Sequence, residues 1–356
     1  MRIEIIGSTT SIIPPTGQAA IERLAYYQAL GLAKKGHKIL LFALEGSSVP
    51  QENVRIIEVG KKETLWGRGD EPKTVEKFGV AYKVRLRLAN LANALSKLID
   101  LKSDYDIILN NLPDEAPLLP IANLLGKPFY HVIHLPLFPE LSELFRKYNT
   151  KLISISNAQR KSFPDLNYIA TVYNGVDTNK FTFSPTNDDY LLYLGSIGKN
   201  KNPKEAILVA LETGQKLLIG GRIKDEIYYK EEILPLIDGK QIQWVGEIDE
   251  KGVIGLFQKA KAFLFPTLWE EPFGLVMIEA MACGTPVVAF NHGAIPEVVV
   301  DGLTGYVVDN HSRMVEAVKK IDRIDRLACR KHVEKHFTVE KMVDSYEQCL
   351  LSWGNR

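Results

Sequence analysis

Apolar residues occur along this chain in short dense runs, separated by stretches where they recur every third or fourth position. Such an alternation belongs to parallel strands buried on both faces and helices that cover them. Dense runs at 2–7, 37–43, 54–59, 106–109, 129–134, 151–155 and 169–173 predict strands. Helical spacing predicts helices at about 19–35, 78–99 and 115–125. The first carries Ile21, Leu24, Ala25 and Leu32 as its stripe and stops at Gly36, as a C-terminal glycine commonly ends a helix. The second carries Val84, Leu88, Leu91, Leu95 and Leu98, with Lys83, Arg85 and Arg87 near its start. It is expected to be a core helix with a solvated basic face rather than a membrane-surface helix. Residues 8–17 and 60–75 read as loops, and Ser156-Asn157-Ala158 as a helix N-cap region.

A polar, proline-containing stretch at 183–189 interrupts this pattern, which then restarts. Runs at 190–195, 216–220, 242–245, 262–265, 287–290 and 305–308 predict a second set of strands. Helices are expected at about 204–213, 226–237 and 250–259, within 269–286, and from 309 to the end. The strand–helix–strand order predicts an α/β protein with parallel sheets and right-handed crossovers. The expected units are residues 1–183 and 184–339.

Composition narrows the picture only a little. With 356 residues, 46% hydrophobic and 24% charged, the chain is an ordinary two-domain globular length. The net charge is +1, so bulk charge implies no nucleic-acid partner. Residues 1–183 hold 23 Lys+Arg against 18 Asp+Glu, and the remainder is net acidic. This mild excess reads first as solvated surface and leaves room for an anionic acceptor or a peripheral membrane contact. Three scattered cysteines, Cys283, Cys329 and Cys349, suggest a reducing compartment and carry no metal-ligand spacing. The first residues enter a strand directly, without a signal-peptide pattern, so a cytoplasmic location is expected.

Candidate chemistry concentrates in 269–286, WEEPFGLVMIEAMACGTP. A Pro-Phe-Gly turn leads into an apolar helix expected to begin at Phe273 or Gly274. The open N–H groups of such an end attract phosphate. Glu271 precedes the turn and Glu279 lies on the helix, and carboxylates accept hydrogen bonds from hydroxyls. Glutamates near a helix start are often only solvated. Here the neighbours Ala280, Ala282, Cys283 and Gly284 are small, so the helix must pack closely, and a carboxylate there needs partners. In the first half, Gly7 is followed by Ser8, Thr9 and Thr10 rather than by G-x-G-x-x-G, which disfavours a nicotinamide dinucleotide site. His134 ends a strand, where ligands gather in open parallel sheets. His131, on one face with Phe129 and Ile133, reads as structural.

The order of motifs resembles glycosyltransferase family 4, retaining enzymes of the GT-B fold. It comprises Asn174-Gly175-Val176-Asp177, Tyr193-Leu194-Gly195 with Lys201 beyond it, Glu271-Pro272-Phe273-Gly274 with Glu279, Gly284-Thr285-Pro286, and Asp301-Gly302-Leu303-Thr304-Gly305. Within that family the chain looks most like the prokaryotic UDP-glucose-type glucosyltransferase group. The resemblance implies two Rossmann-like parallel-sheet domains facing across a cleft. The second would bind the nucleotide sugar and the first the acceptor, with residues of about 340–356 packing back on the first. It implies that Glu271 contacts hydroxyls of the transferred sugar and that backbone N–H groups at Phe273, Gly274 and Leu275 meet sugar or diphosphate. Glu279 would accept from the ribose diol, Lys201 would neutralise the departing diphosphate, and Gly17 would let backbone approach the phosphates. His134 would contact the transferred sugar.

Two positions depart from the family pattern. Ser196 stands where an arginine usually follows the glycine, and Gly17-Gln18 stands for Gly-Gly. Lys199 or Arg222 would then supply the missing counter-charge, Arg222 being preferred because it follows a Gly-Gly strand end. The resemblance implies metal-independent transfer of a hexose, glucose from a UDP-sugar, with retention and without a cofactor. Acceptors would be a glycan, lipid or small molecule, shaped by loops 8–17, 60–75 and 111–117. GDP-mannose-dependent transfer, another GT-B enzyme such as an epimerase or phosphorylase, and a non-catalytic nucleotide-sugar-binding protein stay open as alternatives.

Overall fold

The computed structural model describes residues 1–354 apart from 16, 18, 62–79 and 114. The chain forms two compact units. The first comprises 1–155, 160–172 and 342–356, and the second 156–159 and 173–341.

The first unit is built on a seven-stranded sheet in the order β3-β2-β1-β4-β5-β6-β7. Its strands are β1 (Arg2–Ile6), β2 (Lys38–Leu44), β3 (Val54–Gly60), β4 (Ile107–Asn110), β5 (Phe129–Ile133), β6 (Lys151–Ser154) and β7 (Tyr168–Thr171). All neighbours pair parallel. Branched and aromatic side chains supply the strands, and Ile6, Phe42, Tyr105, Ile108 and Phe145 share one buried cluster. Glu4 lies in the middle of β1, fully buried, and its carboxyl oxygens make no hydrogen bond among the described residues. Burial drives its pKa well above the carboxylate range, so it sits in the sheet as a neutral acid.

The second unit has a six-stranded sheet in the order β10-β9-β8-β11-β12-β13. These strands are β8 (Tyr190–Leu194), β9 (Lys216–Gly220), β10 (Ile242–Gly246), β11 (Ala262–Phe265), β12 (Val287–Phe290) and β13 (Gly305–Val308). They too pair parallel throughout. In both sheets the order reverses beside the first strand of the unit, so loops at the carboxyl ends of central strands flank a crevice.

Several expectations need correction. The units divide at 172/173, not at 183/184. Residues 173–183 precede the polar stretch that marks the expected boundary, yet their backbone is claimed by the second unit. Tyr173 donates to Glu297 at 2.8 Å. Val176 N–H donates to the Phe337 carbonyl at 2.9 Å. Arg330 donates to the carbonyls of Thr178 and Phe181. A Cβ on Gly175 would lie 2.5 Å from the Thr338 carbonyl oxygen, so the Asn174–Asp177 motif serves close packing. Likewise Gly284, at φ +92°, leaves no room for a side chain against Phe183 and Ser184. Arg326 extends this fastening through carbonyls of Ser184, Gln258 and Ala260.

The helix expected at 78–99 is described from Val80 to Asp100, but only its later stripe is core. Leu91, Ala94 and Leu98 are buried, whereas Val84 and Leu88 are 52% and 54% exposed. The loop at 60–75 lies outside the described residues beyond 61, as does the Lys83 side chain. Residues 115–125 become helical only from Leu118 to Leu125, after Pro117. The expected helix at 226–237 breaks into Glu226–Tyr228, a π-turn Tyr229–Ile233 and a 3₁₀ turn Leu234–Leu236, because Pro235 cannot donate to the ladder. Ser156 caps a single 3₁₀ turn, Ala158–Lys161, rather than a long helix. One helix, Pro139–Tyr148, has no forecast at all, though Pro at its first turn and Asn149 in left-handed conformation bound it.

The last helix, Val339–Gly354, joins the first unit from Met342 onward. Val343 fills the space above Gly31, where a Cβ would lie 2.4 Å from it. Glu347 accepts from Lys35 and meets His37, each at 2.9 Å. No helix among the described residues is long and apolar enough to cross a membrane.

Candidate active site

In the second unit, three strand-end loops build the candidate site. The loop after β8 holds Gly195, Ser196 and a 3₁₀ turn, Lys199–Lys201. Asn202, at φ +52°, reverses the chain into the helix Pro203–Thr213. The turn is fastened from across the sheet: the Asn200 carbonyl accepts from Leu268 N–H at 2.8 Å and from the Thr267 hydroxyl at 3.1 Å. The Tyr193 hydroxyl donates to the Ser196 carbonyl at 3.1 Å. Lys201 is thereby carried to the loop that follows β11.

There Lys201 Nζ donates to Oε2 of Glu271 at 2.5 Å. The same oxygen accepts from the indole N–H of Trp269 at 2.8 Å. The ammonium lies 4.5 Å from the Trp269 ring centre and 5.4 Å from that of Phe265. Glu271 is buried, but the Lys201 side chain keeps about a quarter of its surface in solvent. The backbone of Glu271 is pinned by Ala294 N–H, which donates to its carbonyl at 2.8 Å. Gly293 packs so tightly beside it that a Cβ would approach the Glu271 backbone to 2.4 Å.

Gly274, in left-handed conformation, caps the helix Leu275–Ala282. Only glycine adopts that conformation without cost. Met277 N–H turns back to the Gly274 carbonyl at 2.9 Å. The N–H groups of Phe273, Gly274, Leu275 and Val276 have no acceptor among the described residues. Together with the helix dipole they form a positive end open to an anion. The Phe273 ring is buried against Tyr173 and Phe337, which holds the turn. Glu279 lies half-buried on this helix, close enough to help burial push the Cys283 thiol up to about 12.

Arg222 follows Gly221 at the end of β9. Gly221 approaches Gly195 so closely that a Cβ would meet its carbonyl oxygen at 2.0 Å. Ile197 N–H donates to the Arg222 carbonyl at 2.8 Å, so Arg222 stands beside Ser196 with an exposed side chain. Lys199 is exposed on the same loop.

In the first unit the strand ends after β4 and β5 hold an enclosed network of imidazoles and amides, with the buried Glu115 carboxyl 3.7 Å from His131. His134 follows β5, and its Nε2 meets Asn111 Oδ1 at 3.0 Å. Asn111 and Gln28 exchange a pair of hydrogen bonds, with Gln28 Nε2 donating to that same oxygen at 3.1 Å. Nε2 of His134 therefore carries the proton, and Nδ1 is left as an acceptor. Burial lowers the His134 pKa to about 4. His131 is buried against Phe145, hydrogen-bonded to Asn110, and held at about 3 by burial and by His134. Gly17 accepts from Ala19 N–H at 3.0 Å through its carbonyl, while Gln18 lies outside the described residues.

The structure thus brings Lys201 to Glu271 beside the turn Phe273-Gly274-Leu275, with Glu279 on the helix that follows and Ser196 and Arg222 on neighbouring strand ends. Trp269 escapes sequence reading because a lone tryptophan before a strand-end glutamate reads as packing. Asn111 and Gln28 escape for the same reason, although two asparagines at the carboxyl end of β4 are a signal in hindsight.

Two family models match the chain: Glycosyltransferase Family 4 over residues 21–180 and Glycosyl transferases group 1 over residues 177–334. A glycogen synthase from Mycobacterium tuberculosis is 31% identical over 151 residues, 40% of this chain and 36% of that protein. A phosphatidyl-myo-inositol mannosyltransferase from Mycolicibacterium smegmatis is 27% identical over 268 residues, 68% of this chain and 69% of that protein. The chain spans less than half the length of the first of its curated relatives, 46% and 36% in two of them. Among solved structures, Alr3699/HepE from Anabaena, in complex with UDP and glucose, superposes with a TM-score of 0.69 at 17% identity, covering 99% of this chain and all of that one. At that identity the likeness establishes the fold, two Rossmann-like parallel-sheet domains of the GT-B class.

Proposed function

Because the chain belongs to glycosyltransferase family 4, we propose that it transfers a hexose, with glucose from a UDP-sugar as the first reading, to an acceptor hydroxyl with retention of configuration. The observation that carries this is the Lys201–Glu271 pair standing beside the open helix end at Gly274. The leaving nucleoside diphosphate gains negative charge in the transition state. An ammonium close at hand and unpaired N–H groups fixed by the turn stabilise that charge. Glu271 accepts from sugar hydroxyls and Glu279 from the ribose diol. Arg222 supplies the counter-charge that Ser196 does not. In this reading cationic side chains and backbone dipoles carry the whole charge, and neither a metal nor a cofactor takes part.

His134, neutral at pH 7, contributes as a hydrogen-bonding group toward the transferred sugar, and Gly17 as close-approaching backbone. The acceptor is a glycan, lipid or small-molecule hydroxyl, and no nucleic acid is involved. Three buried free cysteines favour a reducing, cytoplasmic setting. The similarity to a mannosyltransferase over 68% of the chain makes a GDP-mannose donor the second reading.

A panel of nucleotide sugars tests this directly. Release of nucleoside diphosphate and thermal stabilisation should both be greatest with UDP-glucose. A response to GDP-mannose alone would move the assignment to the second reading, and no response to any donor would overturn it.

A further inference from the structure

We propose that Trp269 positions both members of the donor-side pair and holds Glu271 in place when Lys201 turns to the donor's diphosphate. This rests on the glycosyltransferase reading above. Three observations lead to it. The indole N–H and the Lys201 ammonium share one oxygen, Oε2 of Glu271, at 2.8 and 2.5 Å. The face of the same indole lies 4.5 Å from that ammonium. Oε1 of Glu271 makes no hydrogen bond among the described residues.

Each fact has a chemical consequence. An incoming diphosphate carries more charge than one carboxylate and competes with it for the ammonium. As Lys201 shifts, Oε2 loses one of its two donors. An indole N–H donates and cannot accept, and the ionised Oε2 accepts it at 2.8 Å, so their charge-assisted bond does not depend on the ammonium. It therefore survives the exchange and keeps Oε1 directed to the sugar hydroxyls. The ring face meanwhile gives the ammonium an attractive surface along its path, with Phe265 as a second one. The Glu271 backbone is already fixed by Ala294 and Gly293. What remains to be fixed is its side chain, and Trp269 does that.

The test compares three variants with the wild type on the donor found active in the panel. W269F keeps a ring and loses the N–H. It should lower kcat about tenfold with little change in the donor KM, the loss expected for a hydrogen bond to a charged group. W269H, which restores a ring N–H, should recover part of that loss. W269L removes the ring as well and should raise the donor KM too. In an E271A background, which deletes the acceptor, W269F should cost nothing further, because its effect runs through Glu271. Wild-type kcat in W269F, equal losses in W269F and W269H, or additive losses in the W269F/E271A double variant would each overturn the proposal. A wild-type protein that neither binds nor turns over any nucleotide sugar would instead overturn the glycosyltransferase reading beneath it.

Discussion

The central strand ends of the two units are built from the same topology but carry different side-chain chemistry. In the first, His131, His134, Asn110, Asn111 and Gln28 form buried, neutral hydrogen-bond networks. In the second, a lysine and a glutamate pair at the edge of solvent beside unpaired backbone N–H groups. Sheet order decides where a crevice forms, and side chains decide what it can hold. A neutral, preformed network suits orientation of uncharged hydroxyls. A partly exposed ammonium beside an open helix end suits an anion that arrives and leaves.

Acid should break this contrast first. Unfolded imidazoles take up a proton near pH 6.5, whereas His134 and His131 do so only near 4 and 3. Below pH 6.5 the unfolded chain binds more protons, so stability falls as pH drops from about 6.5 toward 4. The loss should reach a few kcal/mol, on the order of 1.4 kcal/mol per pH unit per histidine. Urea unfolding across that window measures it, and H134Q should flatten the slope. Stability independent of pH between 6.5 and 4.5 in the wild type would contradict the buried neutral network.

Glu4 has the opposite sign and a smaller effect. Its carboxyl stays protonated in the folded sheet, while the unfolded chain ionises it above about pH 4.5. Stability is therefore lost as pH rises through that value. E4L should stabilise the protein at pH 7 by on the order of 1–3 kcal/mol, since it removes an unpartnered buried polar group. The gain should shrink at pH 4. Destabilisation by E4L at pH 7, measured by the same urea titration, would show that the carboxyl has a partner.

Much of this was legible from the chain alone, and the failures have physical causes. Dense apolar runs announce strands buried on both faces, which is why β1, β2, β8 and β11 need little interpretation. Residues 173–183 mislead because the break in composition comes after them, at 183–189, while the carbonyls of Thr178 and Phe181 are bound by Arg330. Val84 and Leu88 mislead because helical spacing reports periodicity, not what lies opposite. The helix Pro139–Tyr148 is half polar and short, below the length at which periodicity speaks. At the site, Lys201, Glu271 and Gly274 come from motif order. The meeting of Lys201 with Glu271 does not, because it depends on the Asn200 carbonyl tying two distant loops together. Trp269 becomes visible only once that pair is assembled.

The central claim is that the second unit's charged strand ends bind the diphosphate of a nucleotide sugar. Calorimetric titration of UDP-glucose into the wild type and into K201A tests it most directly. The account predicts saturable binding to the wild type and at least about tenfold weaker binding to K201A, the loss of a charge-assisted contact to phosphate. Equal affinity of the two proteins would contradict it.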